Sequence, residues 1–290
     1  MIINFLIIIQ ERTMKYYISD LLFFHKEVTR ARKDFSDRTF DSLEERHSII
    51  KERWNTKVMD VDTVYILGDM AMCGTQKEII EFVSTLKGHK ILIRGNHDKV
   101  KDIRYKQLYD EICDYKEVRD TLYGENMKLI LCHYPILMWK DQHYGSILLY
   151  GHVHNSIEER YFKECLREMN NNKFFERRGR KNFLQAYNVG CMMPYMNYEP
   201  QTLTQIIEKG SQYEEKLLHR VRKIADEAKI IVDCIAFTKK DDYIYAVNLE
   251  NIHERTQFSC KELQVISTNM SEKAIRYVKK LLKRNIDFLI

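Results

Sequence analysis

The chain has 290 residues, 44% of them hydrophobic and 31% charged, with a formal net charge of +5 at neutral pH. That balance excludes a disordered chain and a protein that coats nucleic acid along its whole surface, and it allows one large domain, alone or with a smaller one. Seven cysteines stand singly with no Cys-x-x-Cys pair, which gives a thiolate zinc site no support and points to reduced thiols in the cytoplasm.

Residues 2–9 are apolar but too few to span a bilayer, and they lack the basic and small-residue flanks of a signal peptide, so no membrane partner is expected. Met14 stands directly before a strand pattern; it is either an alternative start or follows an additional N-terminal strand. Met-Lys-Tyr-Tyr-Ile-Ser is an aromatic and β-branched strand that ends at Asp20. A helix then opens at Ser42, with Glu45 placed for a capping box and Leu43, His47, Ile50 and Trp54 on one face. A second strand, from Asp62 to Leu67, closes on Gly68-Asp69, and Ile79, Ile80, Val83 and Leu86 form the inner face of a helix ending at Gly88.

The third strand, Lys90 to Arg94, hands over to Gly95-Asn96-His97-Asp98, and a helix is expected from Ile103 to Ile112. This β-α-β-α-β-α order argues for parallel strands covered by helices. Strands around Val118, at Lys128–Cys132, at Ser146–Tyr150 and at Phe183–Val189 follow, the last after a charged insertion, 156–181. The insertion reads as helical from Glu158 to Met169 and ends in the basic run Arg177-Arg178-Gly179-Arg180-Lys181, a solvated excursion by composition. From Ser211 a helix with Leu217, Leu218, Val221 and Ile224 leads to a strand at Ile230–Phe237, a turn at Lys239–Asp242 and a strand at Tyr243–Val247. The last helix has Ile275, Val278, Leu281 and Leu282 inside and Lys279, Lys280, Lys283 and Arg284 outside. The expected organisation is a domain over 14–209 and a small α+β appendage over 211–290 whose role the sequence does not state.

Five strand ends deliver carboxylate, amide and imidazole groups: Asp20, Asp69, Asn96 with His97, His133, and His152 with His154. This mixture of O and N donors suits Mn²⁺, Fe, Zn²⁺ or a similar divalent ion. Two histidines at i and i+2 of an extended strand share a side, so His152 and His154 are expected to face one site. Any one of these residues alone is more often a turn former or a structural histidine; their joint placement at successive strand ends points to a metal site.

On these residues, from about Met14 to Ile207, the chain resembles the calcineurin-like metallophosphoesterases, and Cys132-His133-Tyr134-Pro135 and Tyr187-Asn188-Val189-Gly190 are similar to those of its small prokaryotic phosphoesterases. The resemblance implies an α/β fold, a four-layer α/β/β/α sandwich, with a two-metal site at the strand ends. It implies that Asp69 bridges two cations, that Asn96, His133 and His152 complete one shell, and that Asp20 and His154 serve the other. His97 would be the catalytic proton donor, oriented by Asp98, and His25 and Arg94 are candidate substrate contacts. The implied activity is hydrolysis of a phosphodiester or a small phosphorylated metabolite or nucleotide; a nucleic-acid substrate has no motif behind it. One position departs from the family pattern: Leu22 stands where Asp-x-His would supply a ligand, which weakens the Asp20-side cation. The alternative reading is therefore a weakly active or inactive binding module on the same fold. Loops 23–40 and 138–145 and the insertion would shape the substrate pocket.

Overall fold

A computed structural model describes residues 13–29, 40–172, 183–249, 255–260 and 263–286, and the chain divides into two units at Gly210/Ser211. The apolar stretch at 2–9 and the basic run 177–181 lie outside the described residues.

In the first unit, β1 (Lys15–Ile18), β2 (Thr63–Ile66), β3 (His89–Ile93) and β4 (Glu111–Cys113) form one four-stranded sheet, parallel throughout in the order β1-β2-β3-β4. The helices α1 (Leu43–Lys57), α2 (Gln76–Val83) and α3 (Ile103–Lys106) connect these strands. The second sheet runs β5-β6-β7-β8, comprising Tyr115–Leu122, Glu125–Cys132, Ile147–Tyr150 and Gln185–Asn188. Its first pair is an antiparallel hairpin and the other pairings are parallel. All four residues of β7 are buried, so both faces of that strand are covered. Ile130, Leu148, Tyr150 and Ala186 pack with Phe162 and Leu166 of α4 (Ile157–Asn171). From the first sheet, Tyr17 stacks on Tyr65 and donates its hydroxyl to Asp120 of β5 at 2.8 Å, which brings the two sheets together. Helix, sheet, sheet and helix make the four-layer α/β/β/α sandwich.

Several elements differ from the sequence expectation. The helix expected over 103–112 is a single turn ending at Lys106, and Glu111–Cys113 pairs with β3 as an edge strand. The first half of the charged insertion is α4, whose Phe162, Leu166 and Glu159 are buried; one outer layer of the sandwich is therefore read as an insertion when charge alone is weighed. Ser42 does accept the Glu45 N–H at the start of α1, but the Glu45 carboxylate takes the Asp41 N–H, so the complete capping box is the one at Thr75 and Glu78 before α2.

The second unit holds a five-stranded antiparallel meander, β9 (Ile230–Val232), β10 (Ile235–Lys240), β11 (Tyr243–Asn248), β12 (Arg255–Ser259) and β13 (Val265–Thr268). The single strand expected at 230–237 is in fact a hairpin, because Asp233 and Cys234 both adopt positive φ and turn the chain. Lys239 and Lys240 belong to β10, and the turn is Asp241-Asp242 alone. Phe237, Ile244 and Phe258 pack against Val278, Leu281 and Leu282 of α6 (Glu272–Asn285). A 25-residue helix, α5 (Leu203–Glu227), contains the division between the units.

Candidate metal centre

Parallel strands end on one edge of their sheet, so the residues just beyond them collect there. Asp20 lies two residues past β1, Asp69 three past β2, Asn96 three past β3; His133 directly follows β6, and His152 and His154 follow β7. The two sheets are joined at this edge, where Ser19 donates its N–H to the Val189 carbonyl and accepts that of Cys191, at 2.8 Å each. Six strand-end side chains from both sheets are thereby brought to one region.

Asp69, His133 and His152 present ligand atoms within 4.8 Å of one another. The Asn96 carbonyl oxygen sits 3.1 Å from His133 Nε2 and 3.0 Å from His152 Nδ1. His133 is fully buried, and its Nδ1 lies 2.7 Å from the Leu67 carbonyl. A carbonyl can only accept, so Nδ1 carries the proton and Nε2 turns a lone pair towards Asn96 and, at 3.7 Å, the Asp69 carboxylate. With the neutral His133 ring protonated at Nδ1, no proton separates its Nε2 from the Asn96 and Asp69 oxygens; a cation satisfies such converging lone pairs, and this donor set fits a divalent metal.

Asp20 forms the other side. Its fully buried carboxylate accepts from the Ser19 hydroxyl at 2.7 Å and from the His152 N–H at 3.1 Å, with His154 Nε2 3.8 Å away. Burial raises the Asp20 pKa most, His154 and His133 pull it down, and the Asp69 carboxylate raises it again. His152 is pushed down, by burial first and by His133 second. Two carboxylates that repel and a His152 imidazole biased towards its neutral form are the electrostatic complement of a bound cation, which would reverse the effect on the acids.

The glycines of the motifs are pressed against these donors. A Cβ on Gly68 would collide with His133 Nδ1 and come within 2.7 Å of the Gly95 backbone; one on Gly95 would strike the Asp69 carboxylate; one on Gly151 would strike the Ser19 hydroxyl and lie 2.6 Å from Asp20 Oδ2. Four of the donor residues, Asp20, Asp69, His152 and His154, hold positive φ (53°, 54°, 72° and 51°). For non-glycine residues this conformation is costly and concentrates at functional sites. It also corrects the expectation of an extended His-x-His pair: the ring of His152 meets Asn96, while that of His154 lies by Asp20.

Asp98 is not where the resemblance implied. Its carboxylate accepts the backbone N–H groups of Asp69 (2.9 Å), Met70 (3.0 Å) and Gly95 (2.8 Å) and the Tyr105 hydroxyl (3.2 Å), and makes no hydrogen bond to His97. It ties the loop after β2 to the loop after β3. Burial is the main effect on this acid and raises its pKa, while the N–H from Gly95 opposes that. His97 donates its N–H to Asp69 Oδ1 at 2.9 Å, and among the described residues its imidazole has no hydrogen-bond partner.

Of the candidate substrate contacts, Arg94 forks onto Asp114 at 2.7 and 2.6 Å, and His25 lies with Nδ1 3.9 Å from Cys73 Sγ. Leu22 is buried, with φ of 48°, and donates its N–H to the Asp69 carbonyl at 2.9 Å. Its backbone supports the centre although its side chain offers no donor. The supporting residues to which sequence reasoning gave no role are Ser19, Glu159 and Asn188. Asn188, fully buried, donates to the His154 carbonyl (2.9 Å) and to Glu159 (3.1 Å), and Glu159 also takes the Tyr150 hydroxyl (2.9 Å). A polar residue two positions before Gly190 on a buried strand was the available signal.

Comparison with known proteins places these motifs in context. A family model described as calcineurin-like phosphoesterase matches residues 17–192, and one described as a family of unknown function (DUF7723) matches residues 218–289. The chain is 27% identical over 166 residues to the Gene 66 protein of Mycobacterium phage L5, covering 49% of this chain and 78% of that one. It is 26% identical over 200 residues to the uncharacterized protein MJ1445 of Methanocaldococcus jannaschii, covering 67% and 92%. Among solved structures, AQ665 of Aquifex aeolicus, a protein of unknown function, aligns with a TM-score of 0.43 and 22% identity over 68% of this chain and 99% of that one.

Proposed function

The chain belongs to the calcineurin-like phosphoesterase family, and from that membership and its donor set we propose that it hydrolyses phosphoesters with the help of two divalent cations. The observation that carries this reading is the convergence of Asp69, Asn96, His133 and His152 on one point. Cations of the Mn, Fe or Zn type held by these residues and, more weakly, by Asp20 and His154 would acidify water and neutralise charge on the phosphoryl oxygens. The protein's own part is orientation. Leu67 fixes the tautomer of His133, Asp98 holds the loops of Asp69 and Asn96 together, and His97, anchored through its backbone on Asp69, keeps its imidazole ready to protonate a leaving oxygen. Such general acid catalysis contributes about 10²–10⁴-fold in rate. The substrate class is a phosphodiester or a small phosphorylated metabolite or nucleotide, acted on in the cytoplasm; among the described residues no helix is long and apolar enough to cross a membrane.

Leu22 supports a second reading, a binding module with little or no turnover, because it removes one donor from the Asp20 side. One experiment separates the two: metal content by mass spectrometry, then turnover of p-nitrophenyl and bis-p-nitrophenyl phosphate with Mn²⁺. The enzyme reading expects metal-dependent hydrolysis that Asn96→Ala lowers at least tenfold together with metal content. A metal-loaded protein that cleaves neither ester leaves the binding-module reading standing.

A further inference from the structure

Helix α6 carries six basic residues, Lys273, Arg276, Lys279, Lys280, Lys283 and Arg284, against one acid, Glu272, which sits in the first turn where the helix dipole favours it. At 100° per residue, Lys273, Arg276, Lys280, Lys283 and Arg284 fall on one face about 100° wide, and the structure exposes all five. Among the described residues none of the six makes an ion pair or a side-chain hydrogen bond. The opposite face is fully used: Val278, Leu281 and Leu282 are buried against Phe237, Ile244 and Phe258 of the sheet. A surface helix that serves only solubility mixes both signs, whereas this one concentrates positive charge about 16 Å along its axis.

We propose that the outer face of α6 binds the phosphate backbone of duplex nucleic acid without reading its sequence. Charge complementarity with a polyanion is the first argument. The second concerns what the helix lacks. A helix that binds a lipid surface inserts its apolar face, and that of α6 is already committed to the protein core. A single-strand binder stacks bases on exposed aromatic residues. The one aromatic side chain on α6, Tyr277, gives its hydroxyl to Asp233 at 2.7 Å, so no row of stacking platforms is present on this helix. The basic stripe is also longer than the ~12 Å width of the major groove, so its ends reach phosphates on both walls. This assignment is independent of the catalytic reading of the metal centre.

The test uses the full chain with EDTA present, so that binding at the metal centre does not contribute, and a fluorescein-labelled 20-base-pair duplex DNA of arbitrary sequence. Binding is expected to weaken steeply with salt and to be insensitive to sequence. The variant Arg276→Gln/Lys280→Gln/Lys283→Gln/Arg284→Gln should bind at least tenfold more weakly, with the slope of log K against log salt reduced by about 0.9 for each phosphate that is no longer neutralised. Its circular dichroism and its hydrolysis of bis-p-nitrophenyl phosphate should match the parent. The proposal is overturned if the variant binds the duplex with the parent's affinity and salt slope, if the parent prefers a single strand of equal length, or if anionic phosphatidylserine vesicles compete the duplex away. Absence of ester hydrolysis in both proteins would count against the catalytic reading alone.

Discussion

Replacing Asp98 by alanine distinguishes a residue that orients the proton donor from one that holds the metal loops together. The carboxylate accepts three backbone N–H groups at 2.8–3.0 Å and one hydroxyl, so the alanine variant strands donors from two loops at once. Each buried donor left without a partner costs about 1–3 kcal/mol, so the three amides together cost roughly 3–9 kcal/mol where water does not reach them. That is a large share of the ~5–15 kcal/mol that holds a domain folded. For a unit of this size it corresponds to a fall in Tm on the order of 10 °C. The loops released carry Asp69 and Asn96, so Mn²⁺ affinity measured by calorimetry should fall with stability. Asp98→Asn keeps one acceptor oxygen but turns an N–H₂ group towards amide donors, and an intermediate loss is expected. If Asp98 acted through His97, Asp98→Asn would leave Tm and metal affinity alone and slow turnover as much as His97→Ala. An Asp98→Ala protein that melts within about 2 °C of the parent and binds Mn²⁺ equally well would refute the bracing role.

Three further perturbations test other parts of the arrangement. Gly151→Ala puts a methyl group against Ser19 and within 2.6 Å of Asp20 Oδ2, so metal titration should show the Asp20-side cation lost and the Asn96-side cation retained; loss of both would mean that the two sides are not separable. Leu22→His restores a donor at a buried position beside Asp69; occupancy of the second cation should rise about tenfold at fixed Mn²⁺, and unchanged stoichiometry would show the gap is filled by another group. His47 accepts the Phe24 N–H at 3.1 Å and is pushed down to about 4, by burial first and by Arg46 second. Its unfolded value lies near ~6.5, so stability is complete above that pH and falls as pH drops towards 4, by roughly 3 kcal/mol in all. His47→Gln keeps an acceptor that does not titrate, and its denaturation midpoint should be flatter across that window; parallel profiles would assign the acid sensitivity elsewhere.

The sandwich was legible because its strands are short apolar runs closed by Gly-Asp, Gly-Asn-His-Asp and Gly-His-x-His, and all of these survive as strand ends in the structure. What escaped the sequence was set by residues distant along the chain. The hairpin at Asp233-Cys234 has no glycine to signal it, since both residues enter the left-handed region without one. Strands β12 and β13, with Thr, Gln and Ser among their residues, carry too little apolar alternation to stand out. Helix α4 is rich in charge, and only its two inward anchors, Phe162 and Leu166, disclose that it covers a sheet. At the site, residue types and order were readable but partners were not. Asp98 follows His97 directly, which suggests a pair, yet its carboxylate turns back to amides 28, 29 and 3 residues earlier in the chain.

The same geometry accounts for an asymmetry that composition alone leaves unexplained. Around Asn96, each donor is fixed by the protein: His133 by Leu67, Asp69 by the His97 N–H, and the loops by Asp98. Around Asp20 the donors are held as well, the carboxylate by the Ser19 hydroxyl and the His152 N–H and the His154 backbone by Asn188, yet a side-chain donor is absent at Leu22. Strained left-handed residues occur on both sides, Asp69 on one and Asp20 and His154 on the other. In the two-cation reading proposed above, a cation on the Asp20 side would be held by fewer bonds than one on the Asn96 side. Cation concentration would then control that side far more strongly than the Asn96 side.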